Sequence, residues 1–371
     1  MSDRLLPFSH FLILWTFLLD QHRATQLVDI CRSYLYETSP KVWIKCSSLI
    51  FLTCQTSCLI LLMRVSRTNH ASELYLASTV VVCSEILKLI LSTILVLLQE
   101  GHVKRGLSLI YNQMIVQHKD MLHILIPSTL YIVQNNLLYF AISHLNAVLY
   151  QILYQSKIFT TAIFMILLLN QRLHSTQWFA LLLLSTGIVL TQLPSSYQSK
   201  SNVEFHSNLY GFIAILFASI TSGFAGVYLE KIFKGTPTSI WMRNLQLALI
   251  GVPIGLLGVF LKDASEIRTS GFFNGYTPIV WVIVILQACG GLAIAFVMRY
   301  ADNILKGFSM GLSVILSTFI SYFLFDDFAP NIFLFVGSIL VISATVLYGL
   351  PSKHNPISTV CPDANKVIVC N

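Results

Sequence analysis

Polar positions along this chain are gathered into short joints, and between them lie apolar runs of similar length. Ten runs approach the roughly 20 residues that a helix needs to cross a bilayer: 42–63, 74–98, 121–142, 145–169, 175–193, 209–231, 239–261, 278–299, 304–325 and 331–350. They show no period-two alternation, which argues against the strands of a transmembrane barrel. The pattern predicts an all-α, polytopic membrane protein with ten transmembrane helices. An earlier apolar stretch, Phe11 to Leu19, is too short to span, and no small-residue cleavage pattern follows it before Asp20. Residues 1–40 therefore read as an interfacial or poorly ordered cytosolic extension. The polar tail, 351–371, carries no lipidation or retention signal and reads as disordered.

Ten spans divide into two sets of five: 41–193, then a lumenal loop at 194–208, then 209–350. An odd number of spans per set turns the second set over relative to the first, so a duplication would be an inverted repeat. Such repeats place substrate near the bilayer midplane and operate by alternating access.

Composition agrees with the pattern. The 371 residues are 55% hydrophobic and 11% charged, against about 25% charged in soluble domains. One set of loops holds Lys104, Arg105, Lys119, Arg172, Lys231, Lys234, Arg299 and Lys306. The other holds Arg64, Arg67, Lys200, Lys262 and Arg268. The bias places both termini in the cytosol. Basic residues beside anionic headgroups account for most of the net charge of +7, so no nucleic-acid partner is implied. Cys46, Cys54, Cys58, Cys83 and Cys289 fall inside apolar runs as small hydrophobes, and the histidines lack the spacing of a zinc helix. Neither a metal nor a cofactor is expected. Gly251, Gly255 and Gly258 lie in a span and suit close helix packing, as do Gly307 and Gly311. No Walker lysine motif is present.

Two lysines interrupt this economy of charge. Lys157 and Lys306 lie in the fourth span of each half, 149 residues apart. An ammonium in the bilayer costs about 2.5–3.5 kcal/mol on insertion scales, and such groups mark pathways for charged substrates. Glu85 and Lys88, spaced i, i+3, can neutralise one another or act as a gating charge. Gln134, Asn135 and Asn136 offer amides to frayed backbone or to a base edge. Tyr131, Tyr150 and Tyr154 offer faces for stacking or for packing. Arg243 and Asn244 point to different helix faces.

Five segments resemble the Golgi nucleotide-sugar transporters: Gln134 to Tyr139; Tyr150-Gln151 with Tyr154 to Lys157; Ser222 to Tyr228 with Glu230-Lys231; Arg243 to Leu247; and Tyr300 to Phe308. The branch resembled carries UDP-galactose, UDP-N-acetylglucosamine and CMP-sialic acid, and the similarity runs from about Val42 to Leu350. The resemblance implies the ten-helix fold of the drug/metabolite transporter superfamily and exchange of a cytosolic nucleotide sugar for a lumenal nucleoside monophosphate. Its ligand positions fall on Lys157 and Lys306 for phosphates, Asn135 and Tyr150 near the nucleotide, and Asn244 in span seven.

Some positions depart from the family. Ser156 stands where many relatives are apolar, Asn146 replaces a commoner acidic residue, and Ala248 stands where the CMP-sialic acid branch tends to carry tyrosine. The last change argues for a UDP-sugar. Gly271 to Tyr276 and Phe319 to Phe323 look most like the UDP-N-acetylglucosamine members, which places that sugar ahead of galactose. The expected partners are UDP-sugar, UMP and membrane lipid, with a homodimer or complexes with related transporters or glycosyltransferases to be weighed. A CMP-sialic acid carrier, a broad-specificity nucleotide-sugar carrier, a membrane-embedded transferase and a non-transporting scaffold are the rival readings. A transferase would need a carboxylate pair, and Asp326-Asp327 is the adjacent pair in the chain, at a loop edge.

Overall fold

The computed structural model describes residues 40–68, 75–116, 118–145, 147–192, 205–324 and 332–349. Asn146, Asp326-Asp327, the Phe11 to Leu19 stretch, most of the 194–208 loop and the tail beyond 350 lie outside the described residues. Among the described residues the chain is helical and forms no strand. The helices are α1 (Pro40–Thr68), α2 (Ala77–Glu100), α3 (Val103–Tyr111), α4 (His118–His144), α5 (Ala147–Tyr154), α6 (Ser156–Leu169), α7 (Ser175–Thr191), α8 (Phe205–Gly235), α9 (Ile240–Lys262), α10 (Ala264–Ser270), α11 (Pro278–Tyr300), α12 (Asn303–Leu324) and α13 (Ile332–Gly349). A short π-helical turn, Asn112–Val116, joins α3 to α4.

Each of the ten apolar runs coincides with one of these helices, or with the α5–α6 pair. Taking α5 and α6 together over Leu149–Leu169, eight such segments are long and apolar enough to cross a membrane, and α7 is a shorter apolar helix. The remaining run lies in α4, whose 27 residues include His118, Lys119, Asp120, Gln134, Asn135, Asn136 and Pro127. Lipid offers no hydrogen bonds to a free carbonyl or amide, so a spanning segment must satisfy its backbone internally, and a helix does so. Apolar side chains such as Leu167, Phe217, Phe260 and Phe323 remain exposed on the outer faces, as expected where the surrounding medium is hydrocarbon.

Helices α4 and α8, α7 and α13, α2 and α9, α6 and α8, and α1 with both α11 and α12 form the most extensive packings. Close approach takes the place of hydrophobic drive here, because lipid tails are as apolar as leucine. At the α7–α13 crossing Gly187 faces Gly337: a Cβ added to Gly337 would stand 2.7 Å from the Gly187 carbonyl oxygen. Gly251 and Gly255 receive side chains of α2, and Gly311 packs on Leu184 and Ile188, as the sequence suggested. Gly258 and Gly307 do not: nothing lies within 4 Å of a Cβ at either. Their spacing along the helix suits packing, but among the described residues no neighbouring helix comes that close on those faces.

Polar side chains tie the helix ends. Arg243 at the start of α9 is 2% exposed and donates Nη2 to Asp120 Oδ2 of α4 at 3.1 Å and Nη1 to Gln246 Oε1 at 2.8 Å. Arg299, at the end of α11, donates to the carbonyls of Phe233 and Thr236 at the end of α8. Between α10 and α11, Gly271 and Gly275 take positive φ angles and the chain folds Tyr276 back onto α2, where its hydroxyl donates to Thr79 Oγ1 at 3.0 Å.

Two outcomes follow from these contacts. Gly337→Val forces the α7–α13 backbones apart and is expected to cost about 2–3 kcal/mol, the usual penalty of over-packing; an unchanged melting temperature in detergent would refute the crossing. The Arg243 pair is asymmetric, because Asp120 is 39% exposed. Asp120→Asn strands a buried guanidinium and is expected to cost about 3 kcal/mol, whereas Arg243→Met leaves a carboxylate that water can reach and costs about 1 kcal/mol. Equal losses on thermal unfolding would contradict the burial assigned to the arginine.

Candidate functional site

The fourth span is not one uninterrupted helix. The ladder breaks for one residue at Gln155, where bonds tighten to i→i+3: Gln155 N–H to Ile152 O at 3.3 Å, then Ile158 N–H to Gln155 O at 3.0 Å. Helix α6 restarts at Ser156, so Lys157 is its second residue. Lys306 is likewise the fourth residue of α12, which begins at Asn303. Each lysine thus stands in the first turn of a helix, at the end where the helix dipole favours negative charge.

The two helices meet. Helix α6 packs against α12, and Ile158, Ile304 and Phe308, neighbours of the two lysines, belong to one buried cluster with Val227 of α8. Lys306 lies within electrostatic reach of both Lys157 and Glu230. Among the described residues neither lysine forms an ion pair within 4.0 Å; the carboxylates in such pairs, Glu85, Glu230 and Asp120, are taken by Lys88, Lys234 and Arg243. The Lys157 ammonium instead sits 4.0 Å from the centre of the Tyr154 ring, a cation–π contact. Tyr154 stacks on Tyr150 with centroids 5.9 Å apart.

Helix α4 supplies the next wall. Gln134 is 7% exposed and lies within hydrogen-bonding reach of the Tyr154 side chain, with its Oε1 left without a partner. Tyr131 adjoins Tyr154 as well. Lys157, Tyr150, Gln134 and Tyr131 are therefore brought together, and Lys306 of α12 lies within electrostatic reach of Lys157. Asn135, next to Gln134, is exposed. Asn136 donates to its own helix at Ile132 O, 2.9 Å.

Other expected residues lie elsewhere. Asn244 is 1% exposed and donates to Ile240 O at 3.1 Å within α9. Glu85 and Lys88 pair with one another, Nζ to Oε1 at 2.7 Å. They lie between α9 and α11: a Cβ on Gly251 would meet Glu85 Oε2 at 2.5 Å, and one on Gly291 would meet Lys88 Cδ at 2.9 Å. The pair is partly buried, with α9 and α11 packed against it.

Two features escaped the residue pattern. Glu230, given no role beyond its motif, is fully buried and bonded to the start of α12; a carboxylate within an apolar span was signal enough to single it out. The break at Gln155 leaves no mark in hydropathy, since Tyr154, Gln155 and Ser156 are neither proline nor glycine.

The arrangement offers two cations, aromatic faces and an amide at one place in an apolar bundle, a donor set suited to an anion with an attached ring. Comparison with known proteins agrees. A family model described as nucleotide-sugar transporter matches residues 40–349. The human UDP-N-acetylglucosamine transporter is 46% identical over 313 residues, covering 84% of this chain and 96% of its own. A UDP-N-acetylglucosamine/UDP-N-acetylgalactosamine transporter of Caenorhabditis elegans is 44% identical, covering 84% and 95%, and the human UDP-galactose translocator is 43% identical, covering 83% and 78%. A solved crystal structure, 12% identical, superposes with a TM-score of 0.58 over 82% of this chain and 96% of the other, which shows a shared fold. These relatives are transporters, not enzymes, and the chain itself belongs to the nucleotide-sugar transporter family.

Proposed function

We propose that the protein is an antiporter carrying a UDP-sugar, UDP-N-acetylglucosamine ahead of UDP-galactose, from the cytosol into the Golgi lumen in exchange for UMP. The observation that carries this reading is the pair Lys157 and Lys306, mutually within electrostatic reach and without a carboxylate partner among the described residues. The printed names of the relatives supply the sugars. Ala248 is fully buried in α9, so no tyrosine hydroxyl projects from that position toward a CMP-sugar.

Charge explains exchange. Two ammonium groups in a pocket of low dielectric repel one another more strongly than they would in water. A bound anion removes that repulsion. A pyrophosphate diester carries two negative charges, and a phosphate monoester carries about −1.5 to −2 near neutral pH. UDP-sugar and UMP therefore neutralise the same two lysines. The empty carrier keeps the repulsion and reorients slowly, which couples outward passage of one ligand to inward passage of the other.

The halves 41–193 and 209–350 supply the alternating frame, with Lys157 and Lys306 in corresponding spans. Numbering the spans from one to ten, exchange of each span with the one five places on turns the α4–α8 packing into α1–α11, α6–α8 into α1–α12 and α2–α11 into α4–α9. That correspondence supports an inverted repeat. Both termini are placed in the cytosol by the loop charges, and Glu85–Lys88, wedged between α9 and α11, serves as a structural or gating charge.

Proteoliposomes preloaded with UMP are expected to take up labelled UDP-N-acetylglucosamine at least about tenfold faster than empty ones, and Lys157→Met or Lys306→Met is expected to lower this by a further order of magnitude, the scale of losing one charged hydrogen-bonding partner. Equal uptake by empty vesicles removes exchange, and preference for CMP- or GDP-sugars over UDP-sugars in the same assay removes the substrate assignment.

A further inference from the structure

Glu230 has 0% exposure and spends both carboxylate oxygens on separate partners. Oε1 accepts from Lys234 Nζ at 2.6 Å, one turn along α8. Oε2 accepts from the backbone amide of Asn303 at 2.8 Å, the first residue of α12. Asp302 Oδ1 accepts from the Leu305 amide at 2.8 Å. Two of the first amides of α12 are thus satisfied by carboxylates, one of them from a different helix. A carboxylate on a helix N-terminus gains from both the charge-assisted bond and the helix dipole. Gly226, one turn before Glu230, leaves room for the Asn303 side chain: a Cβ there would collide with Asn303 Nδ2. Arg299 fastens the preceding end of α11 to the same end of α8.

These contacts fix where α12 begins, and Lys306 stands three residues beyond the amide that Glu230 holds. We propose that Glu230 is the positioning residue for Lys306: by capping α12 from α8 it sets the register and direction in which the ammonium meets the ligand phosphate. The role rests on the reading of Lys306 as a phosphate ligand. In this role Glu230 acts through the helix and not on the substrate: its two oxygens are taken by Lys234 and by the Asn303 amide.

The test is a double-mutant cycle on UMP binding by the purified full chain in lipid nanodiscs, with melting temperatures as a fold check. Glu230→Leu fills the site without a cap and is expected to weaken UMP about tenfold, while Glu230→Gln, which keeps an acceptor for the Asn303 amide, recovers to within about threefold of the parent protein. In a Lys306→Met background, itself weaker for UMP, Glu230→Leu is expected to add less than about twofold, because groups acting through one another are not additive. Lys234→Met disturbs the same cap from its exposed side, and serves if Glu230→Leu does not fold. Its expected loss is about threefold, present only with Lys306 in place. Unchanged affinity in Glu230→Leu, no recovery in Glu230→Gln, or full additivity with Lys306→Met overturns the positioning role. Where Lys306→Met binds UMP as tightly as the parent, the phosphate reading falls first and takes this role with it, a failure distinct from the others.

Discussion

A cation held in an apolar bundle without a carboxylate beside it is the constraint around which this molecule is built. Among the described residues the ion-paired carboxylates of the bundle are committed elsewhere, Glu85 to Lys88, Glu230 to Lys234 and Asp120 to Arg243. Lys157 and Lys306 have no such partner within 4.0 Å. Their charge is met by weaker means, an aromatic face under Lys157 and the more distant field of Glu230 near Lys306. Weak compensation suits the phosphate site proposed for them, since a lysine locked to a carboxylate would have to be pulled free before it could meet an anion.

The rest of the bundle can be understood as support for that arrangement. Serine, threonine and glycine bring α8 against α6: Ser156 donates to Ser219 Oγ at 2.8 Å and Thr160 to the Ser219 carbonyl at 2.7 Å. The α1–α12 contact is made in the same way, with Ser57 donating to the Ser313 carbonyl at 3.1 Å. Both lysine-bearing helices therefore lie on hydroxyl-to-carbonyl contacts between closely spaced backbones. Such contacts carry modest energy each and satisfy groups that lipid cannot. Interfaces of this kind hold two helices in register without the bulk of interlocked leucines.

Much of this was legible from residue order alone. The ten apolar runs that become helices were visible because a segment in lipid must be apolar along its whole length, a requirement of the solvent and not of any neighbour. Lys157, Lys306 and the Glu85–Lys88 pair were visible for the same reason, as charges where charge is costly. Asn244 was visible as an amide in span seven; that one of its N–H groups is given to its own helix at Ile240 was not, because the rotamer of an asparagine is set by the packing around it. Gly258 and Gly307 teach the same lesson, since small residues permit an approach that only a neighbouring helix can make.

Residue order by itself determined that the chain is a polytopic bundle of apolar helices and which of them carry stray charge, because burial in hydrocarbon is a property each segment faces alone. Tertiary structure decided which acidic groups were already spent, that the fourth span restarts immediately before Lys157, and that Glu230 of one helix caps the start of another. Those are relations between atoms distant in the chain. Their energies depend on separations of a few ångströms that packing sets and that hydropathy cannot encode.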